Sequence, residues 1–288
     1  MAVSLDELRV WSRYIYSITG ISLDDSKGYL VETRLVNLMR ETGSASYSEL
    51  LHKVKADATQ TLRRKVVDAI TTGETSFFRD TSPFDVLQHK ILPDLIDRRR
   101  KTFGVGRALP IRIWSAACST GQELYSTAIV LKELLANFSG YDLRLLGTDI
   151  SDKAVAAASR GYFNKLELER GMPADKLAKH FTSENGQWKV RDELRAMVTF
   201  RTLNLLEPLA FSVRHDIIFC RNVAIYFTEQ DRARLFASLA NHLAPDGCLI
   251  IGSTESLTGL CPQFESKRYL RAVYYQLKVE PGRMAYAA

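Results

Sequence analysis

The sequence predicts a small all-α domain followed by an α/β domain whose mostly parallel sheet is covered on both faces and carries a small β insert. Three observations lead there. Residues 4–101 show capped helical periodicity throughout. Beyond the polar, glycine-bearing stretch TFGVGRALP (102–110), short apolar runs alternate with amphipathic helices, the pattern of parallel strands joined by crossover helices. Asn185–Gly186 then interrupts the alternation with a strong hairpin-turn signal. The expected organisation is a helical domain over 1–80, a connecting helix and linker over 81–109, and an α/β domain over 110–288 with the antiparallel insert at about 178–197.

In chain order, SLDELRVWSRYIYSITG starts a helix with Ser4 as cap and Glu7 three residues on. Leu5, Leu8, Trp11, Ile15 and Ile18 form its apolar stripe, and Gly20 stops it. DDSKGYLVETRLVNLMRETG repeats the pattern with Leu30, Leu35, Leu38 and Met39 inward and Gly43 as the stop. SYSELLHKVK and DATQTLRRKVVDAI give two shorter helices. SPFDVLQHKILPDLIDRRRK opens with Pro83 in its first turn, and Pro93 bends or divides it. The basic run Arg98–Lys101 suits either a helix C-terminus, where cations complement the dipole, or a recognition role.

After the linker, IRIWSA is a strand, TGQELYSTAIVLKELLANF a helix, LRLLGTDI a strand and SDKAVAAASRG a helix. VTFRTLNL and DIIFCRN are further strands, TEQDRARLFASLANHLAP is a helix, and CLIIGSTES and YLRAVYYQLKV close the chain. No helix separates the last two, so they should pair as a hairpin.

Composition narrows the function. A chain of 288 residues, 46% hydrophobic and 25% charged, is ordinary for a globular protein. It contains no apolar run long enough to span a bilayer and opens without a secretory pattern, so a cytoplasmic protein with no membrane insertion is expected. Cys118, Cys220, Cys248 and Cys261 form no C-x-x-C pair and the five histidines show no ligand spacing, so no metal is expected. The net charge of +6 is spread over both halves, unlike the concentrated basic face of a nucleic-acid binder, and no nucleic-acid partner is expected.

Ligands of open parallel sheets bind beyond the carboxyl ends of the strands. Four such ends carry informative residues. SAACSTGQE (115–123) offers small side chains ahead of a helix start but is not G-x-G-x-x-G. Asp149 can accept both hydroxyls of a ribose, or make a local turn bond before the helix that Ser151 caps. Asn204 can read an adenine edge, and Arg221–Asn222 bring a charge and an amide to the end of a buried strand. Together they favour an adenosine-containing ligand, and the missing glycine-rich phosphate loop favours one without phosphate, such as S-adenosylmethionine. TTGETSFFRD (71–80) is either an interdomain connection or a loop across that cleft.

TTGETSFFRD, IWSAACSTGQELYS, LGTDIS, NLLE, DIIFCRNVAIYF and GSTES occur in an order that resembles the CheR-type chemotaxis receptor glutamate O-methyltransferases over nearly the whole chain. The resemblance implies a Rossmann-like, class I S-adenosylmethionine-dependent methyltransferase domain with a small β insert behind an all-α domain. It implies cofactor contacts at Gly73, Thr75, Arg79, Ala116, Glu123, Asp149, Asn204, Leu205, Arg221, Asn222 and Tyr226, with Arg79 and Tyr226 nearest the transferring methyl group. S-adenosylhomocysteine would be the product. The implied partner is the cytoplasmic helical domain of a chemoreceptor, met by Lys27, Arg34 and Arg40 in place of a fuller arginine cluster that Asn37 and Leu38 interrupt. Gln122 and Leu124 replace the family's usual glutamate and proline, Ala224 a usual methionine, and Gly73 a common asparagine. A short β insert implies no tether to a receptor tail peptide, and a monomer is expected. The implied reaction needs no general base, because a glutamate side chain is already ionised near neutral pH.

Overall fold

A computed structural model describes residues 3–103, 107–135 and 138–278. Its first part is four helices: α1 (Leu5–Thr19), α2 (Gly28–Thr42), α3 (Tyr47–Ala56) and α4 (Thr61–Ile70). The Ser4 side chain accepts the Glu7 N–H while the Glu7 side chain accepts the Ser4 N–H, and Gly20 ends α1 at φ 76°. Leu8, Trp11 and Ile15 pack against Val31, Leu35 and Leu50. The Trp11 indole donates to the Tyr47 carbonyl at 2.9 Å, so the buried ring keeps its polar end satisfied. Leu5 leaves the stripe: it stands at the first helical position, 61% exposed, before the buried face begins. On α2, Leu30 is half-buried and Val31 holds the core position beside it.

The long helix is divided. α5 (Ser82–Val86) and α6 (Leu92–Phe103) flank a π-helical turn, Leu87–Ile91, in which the Leu92 N–H reaches back to the Leu87 carbonyl. Pro93 has no N–H for the carbonyl four residues earlier, and the widened turn lets the chain pass that gap without a break. Leu87, Ile91, Leu92 and Ile96 pack into the same core as Ile111 and Ile113 of the sheet. Residues 104–106 of the stretch read as linker lie outside the described residues.

The elements that follow are β1 (Leu109–Ala116), α7 (Gln122–Leu134), β2 (Tyr141–Asp149), α8 (Asp152–Arg160), β3 (Tyr162–Phe163), α9 (Lys165–Glu169) and α10 (Ala174–His180). Next are β4 (Phe181–Glu184), β5 (Gln187–Val190), α11 (Asp192–Arg195), β6 (Val198–Thr202), β7 (His215–Cys220), α12 (Glu229–His242), β8 (Leu243–Ile251), β9 (Phe264–Tyr269) and β10 (Ala272–Leu277). The large sheet runs β6-β2-β1-β7-β8-β10-β9. Pairs from β6 to β8 are parallel, and β10 runs antiparallel to both its neighbours. Chain order reverses between β1 and β7, which opens a crevice at their carboxyl ends.

Two expectations need correction. The last two strands do not form a simple hairpin. YLRAVYYQLKV contains the end of β9, a turn with Leu270 at φ 52°, and β10; β9 hairpins with β10, while β8 pairs with β10 across the intervening segment. Tyr269 and Ala272 face each other across that turn, so an unbroken run of strand-formers hid it. The insert, in turn, is three-stranded, β3-β5-β4. Asn185 and Gly186, at φ 50° and 77°, make the expected turn between β4 and β5, but β3 lies upstream and is only two residues long, too short for a periodic signal.

Candidate functional site: a cleft between the helical domain and the strand ends

The crevice at the β1/β7 reversal opens into a cleft whose empty space, open solvent at its mouth included, is about 930 Å³. Thr19 at the end of α1, Ile21 just beyond it, Thr71 and Thr72 after α4, and residues at the ends of β1, β2, β6 and β7 line it, so the helical domain forms one wall. The floor is the turn after β1. Ala117 and Ser119 sit at φ 63° and 51°, and Gly121 at φ 94°. A side chain at Gly121 would run into Ala158 and Phe200, so the turn needs glycine there for space as well as for conformation. The Cys118 N–H donates to the Thr148 carbonyl and the Ser119 N–H to Asp149 Oδ2, both at 2.8 Å, which ties the turn to β2.

Asp149 also accepts the Ser151 N–H on Oδ1 at 3.0 Å. The local turn bond is therefore real, and each carboxylate oxygen still has a lone pair for a ligand hydroxyl. Burial, the larger influence, lifts this carboxyl above its ordinary value against the backbone N–H groups that favour its charge. The Cys118 thiol is pushed well above its usual range by burial and by the neighbouring Asp149, so it stays protonated and unreactive.

Arg221 follows β7 with its side chain 2% exposed. It donates to Glu123 Oε2 at 2.9 Å and, at 2.8 Å each, to Asp80 Oδ2 and the Arg79 carbonyl. Glu123, in the first turn of α7, accepts the Ser115 hydroxyl on its other oxygen. The guanidinium thus joins the TTGETSFFRD loop to the start of α7. That loop is held under strain: Phe78, Asp80 and Thr81 all have positive φ, at 49°, 66° and 40°. Non-glycine residues in this region cost of order 1 kcal/mol or more each and persist where the surroundings over-determine them, often at functional sites. The surroundings are the Arg221 bonds, the Phe78 N–H donating to the Ser126 hydroxyl, and the Phe77 ring packed edge-on against Phe163 and Phe181.

Of the residues expected to hold the cofactor, Thr75, Arg79, Glu123, Asp149, Asn204, Leu205, Arg221, Asn222 and Tyr226 all line this cleft. Gly73 and Ala116 do not. Gly73 offers only its carbonyl to the Ser119 hydroxyl, and a Cβ there would make ordinary contact with that hydroxyl oxygen at 3.6 Å. Ala116 is buried inside the end of β1, and Ala117 forms the wall in its place. Asn204 has its carbonyl oxygen on the Leu206 N–H at 3.1 Å and its amide near the Ile18 carbonyl at 3.4 Å, so its side chain also fastens α1 to the sheet.

The three basic residues expected to face a partner divide. Arg34 turns inward and donates to the carbonyls of Ala69, Ile70 and Thr71, closing the C-terminal end of α4. Its guanidinium is engaged within the helical domain, on carbonyls at the end of α4 that lack helical N–H partners. Arg40 is exposed and Lys27 half-buried. Thr19 and Ile21 reach the cleft only through domain packing, and no local pattern announces them, whereas Thr71 comes with the TTGETSFFRD loop.

Two family patterns cover the chain: the all-alpha domain of CheR methyltransferases over residues 6–71, and the CheR methyltransferase SAM binding domain over residues 73–272. A chemotaxis protein methyltransferase of Vibrio parahaemolyticus is 40% identical over 281 residues, 96% of this chain and 99% of the relative. Chemotaxis protein methyltransferase 1 of Vibrio cholerae is 38% identical over 281 residues, 96% of this chain and 99% of the relative. The Pseudomonas aeruginosa protein of the same description is 35% identical over 282 residues, 96% of this chain and all of the relative. The cleft suits S-adenosylmethionine: a buried acid with spare acceptor capacity for ribose hydroxyls, a floor of small residues, and no glycine-rich phosphate loop. With both domains matched in order and the relatives aligned end to end, the chain belongs to the CheR methyltransferase family and is an S-adenosylmethionine-dependent methyltransferase.

Proposed function

We propose that this protein is a protein-glutamate O-methyltransferase that esterifies glutamate side chains on the cytoplasmic helices of chemoreceptors during chemotactic adaptation. The observation that carries the reading is the set of ionisable groups in the cleft. Among the described residues no histidine or lysine lines it. Glu74 is paired with Arg170 and Glu123 with Arg221, Asp149 is held by backbone N–H groups, and the Cys118 thiol is buried. No general base is poised there, which suits an acceptor that arrives ionised, as a carboxylate does.

Bound there, S-adenosylmethionine would supply a methyl group on a sulfonium, and a carboxylate oxygen could take it as the carbon–sulfur bond breaks and the neutral thioether of S-adenosylhomocysteine leaves, with no proton moving. Asp149 would hold the ribose, Asn204 and Leu205 would border the adenine, and Thr75 and Glu123 would face the amino-acid tail. Arg79 donates to the Glu74 carbonyl at 3.1 Å and has its other N–H groups unengaged among the described residues. The Tyr226 hydroxyl likewise makes no hydrogen bond among them, and the residue is 36% exposed. These two side chains would orient the carboxylate. Arg79 would do so through the non-attacking oxygen, since a strong salt bridge to the attacking one would stabilise the ground state. Exposed Arg40 is the outward basic group on α2 suited to an acidic receptor surface, with Lys27 beside the start of that helix. Among the described residues no helix is long and apolar enough to cross a membrane.

Transfer from labelled S-adenosylmethionine to membranes carrying the organism's chemoreceptors tests the reading. The expected result is a base-labile label in a receptor band, lost with Arg79→Ala, and a rate nearly flat from about pH 6 to 8. A base-stable label, or cofactor binding with no receptor label, would overturn it.

A further inference from the structure

The motif GSTES (252–256), which follows β8, has no part in the site as described so far, and none of its residues lines the cleft. Glu255 turns back beneath it. Its Oε2 accepts the N–H of Asn222 at 2.7 Å and that of Gly252 at 2.8 Å. Gly252 leaves no room for a side chain: a Cβ would collide with Glu255 Oε2 and lie 2.8 Å from Asn222 Nδ2. Glu255, Gly252 and Asn222 therefore form one tight knot joining the ends of β7 and β8.

Asn222 stands at φ 56°, a left-handed conformation that asparagine tolerates better than most residues and that still needs support. It turns the chain out of β7 into the short 3-10 turn Ala224–Tyr226, which presents Tyr226 to the cleft. The far end of that turn is also held, because the Ser22 N–H of the helical domain donates to the Tyr226 carbonyl at 3.0 Å. Between the Asn222 N–H and the Tyr226 carbonyl, the turn has two fixed ends and a free phenol. Glu255 Oε1 is buried and makes no hydrogen bond within normal geometry among the described residues, although the Ala224 N–H of the same turn also favours the charged carboxylate. A buried acid is a poor choice for stability alone unless donors hold it. Its position is accounted for by the two N–H groups it holds.

We propose that Glu255 is a positioning residue for methyl transfer: it fixes the left-handed turn at Asn222 and through it the placement of Tyr226. The catalytic part of this inference rests on the role assigned to Tyr226 above. Glu255→Gln keeps one oxygen able to accept both N–H groups, whereas Glu255→Ala removes the acceptor. Gly252→Ala pushes a methyl group into the same knot without touching the acid.

The experiment compares these variants for S-adenosylhomocysteine affinity, receptor methylation kinetics and amide hydrogen exchange, with Tyr226→Phe made in the wild-type and Glu255→Ala backgrounds. Glu255→Ala and Gly252→Ala should lower kcat about tenfold or more, as small misplacements of a reacting geometry do, while Glu255→Gln stays within about threefold of wild type. Tyr226→Phe should cost clearly less in the Glu255→Ala background than alone, the non-additivity of residues acting as one unit. Exchange across 221–227 should quicken about tenfold in Glu255→Ala with the rest of the sheet unchanged. Additive losses, or a Glu255→Ala enzyme with wild-type kcat and wild-type exchange, would overturn the proposal. If Glu255→Ala does not fold, Gly252→Ala takes its place in the double-mutant comparison. A wild-type chain that binds S-adenosylhomocysteine but labels no receptor sinks the proposed function instead, and the exchange comparison still decides whether Glu255 holds the turn.

Discussion

Burying a guanidinium costs several kcal/mol unless its N–H groups meet carboxylates or carbonyls. At Arg221 two carboxylates and one carbonyl meet it, from residues 98, 141 and 142 positions away in the chain. Removing it would strand Glu123 in a nearly dry site and free the Arg79 carbonyl. Arg221→Met should therefore destabilise the protein by about 3 kcal/mol or more and weaken S-adenosylhomocysteine binding as well. Denaturant unfolding and calorimetric titration of one preparation check both. An Arg221→Met protein with wild-type values in either measurement would contradict this account of the cluster. The sequence made Arg221 legible as a charge at the end of a buried strand, and so as a site residue. It could not show that the guanidinium acts through Glu123 and the Arg79 segment, because those partners meet only when the fold is complete. Arg34 illustrates the same limit in reverse: its residue type and helical position suit an outward contact, and only tertiary structure brings the carbonyls of Ala69, Ile70 and Thr71 to it.

At the scale of elements, helical periodicity and cap residues located α1 to α4 well, because each signal is local. The basic run Arg98–Lys101 left two readings open, and the structure decides between them. Arg99 bridges Asp216, Asp246 and the Pro110 carbonyl; Arg98 reaches the Asp246 carbonyl, and Arg100 the Tyr141 hydroxyl. The end of α6 is stitched to the starts of β1, β2 and β7 and to the opening of β8, the side of the sheet away from the cleft. The Arg99 side chain is 12% exposed and that of Asp216 5%. Arg99→Met should cost about 3 kcal/mol, the lower end of the range for breaking a buried pair, and leave S-adenosylhomocysteine affinity unchanged. A weakened affinity with unchanged stability would restore the recognition reading. The three-stranded insert shows why short elements escape sequence reading: β3 has too few residues for periodicity, yet Phe163 within it packs against Phe77 of the strained loop.

Across the whole molecule, the division into an all-α part and an α/β part was legible because the hydrophobic period changes near residue 110. The way the two parts close on one another was not. The Tyr16 hydroxyl donates to Asp231 at 2.6 Å, the Ser151 hydroxyl to Asp68 at 2.6 Å and the Ser22 N–H to the Tyr226 carbonyl; none of these has a local signature. Global stability should also depend on pH through a residue that no motif singled out. His215 opens β7, 5% exposed, against the rings of Trp114 and Phe211. Burial, opposed in part by a backbone hydrogen bond with His242 and aided by the nearby charges of Arg201 and Arg112, brings its pKa down to about 4 from an ordinary 6.5. Between those values the unfolded chain binds a proton that the folded chain refuses, so the stabilisation is complete above pH 6.5 and is lost as pH falls toward 4. From pH 7 to 5.5 the loss should be about 1 kcal/mol. Asp149 and Glu255 act in the opposite sense, since burial raises both carboxyls and their contribution fades as pH rises. The slope assigned to His215 must therefore be isolated by substitution. Urea midpoints at pH 7 and 5.5 should move apart in the wild-type chain and draw together in His215→Phe, which keeps an aromatic ring between Trp114 and Phe211 and has nothing to protonate. Equal slopes in the two proteins would assign the acid sensitivity elsewhere.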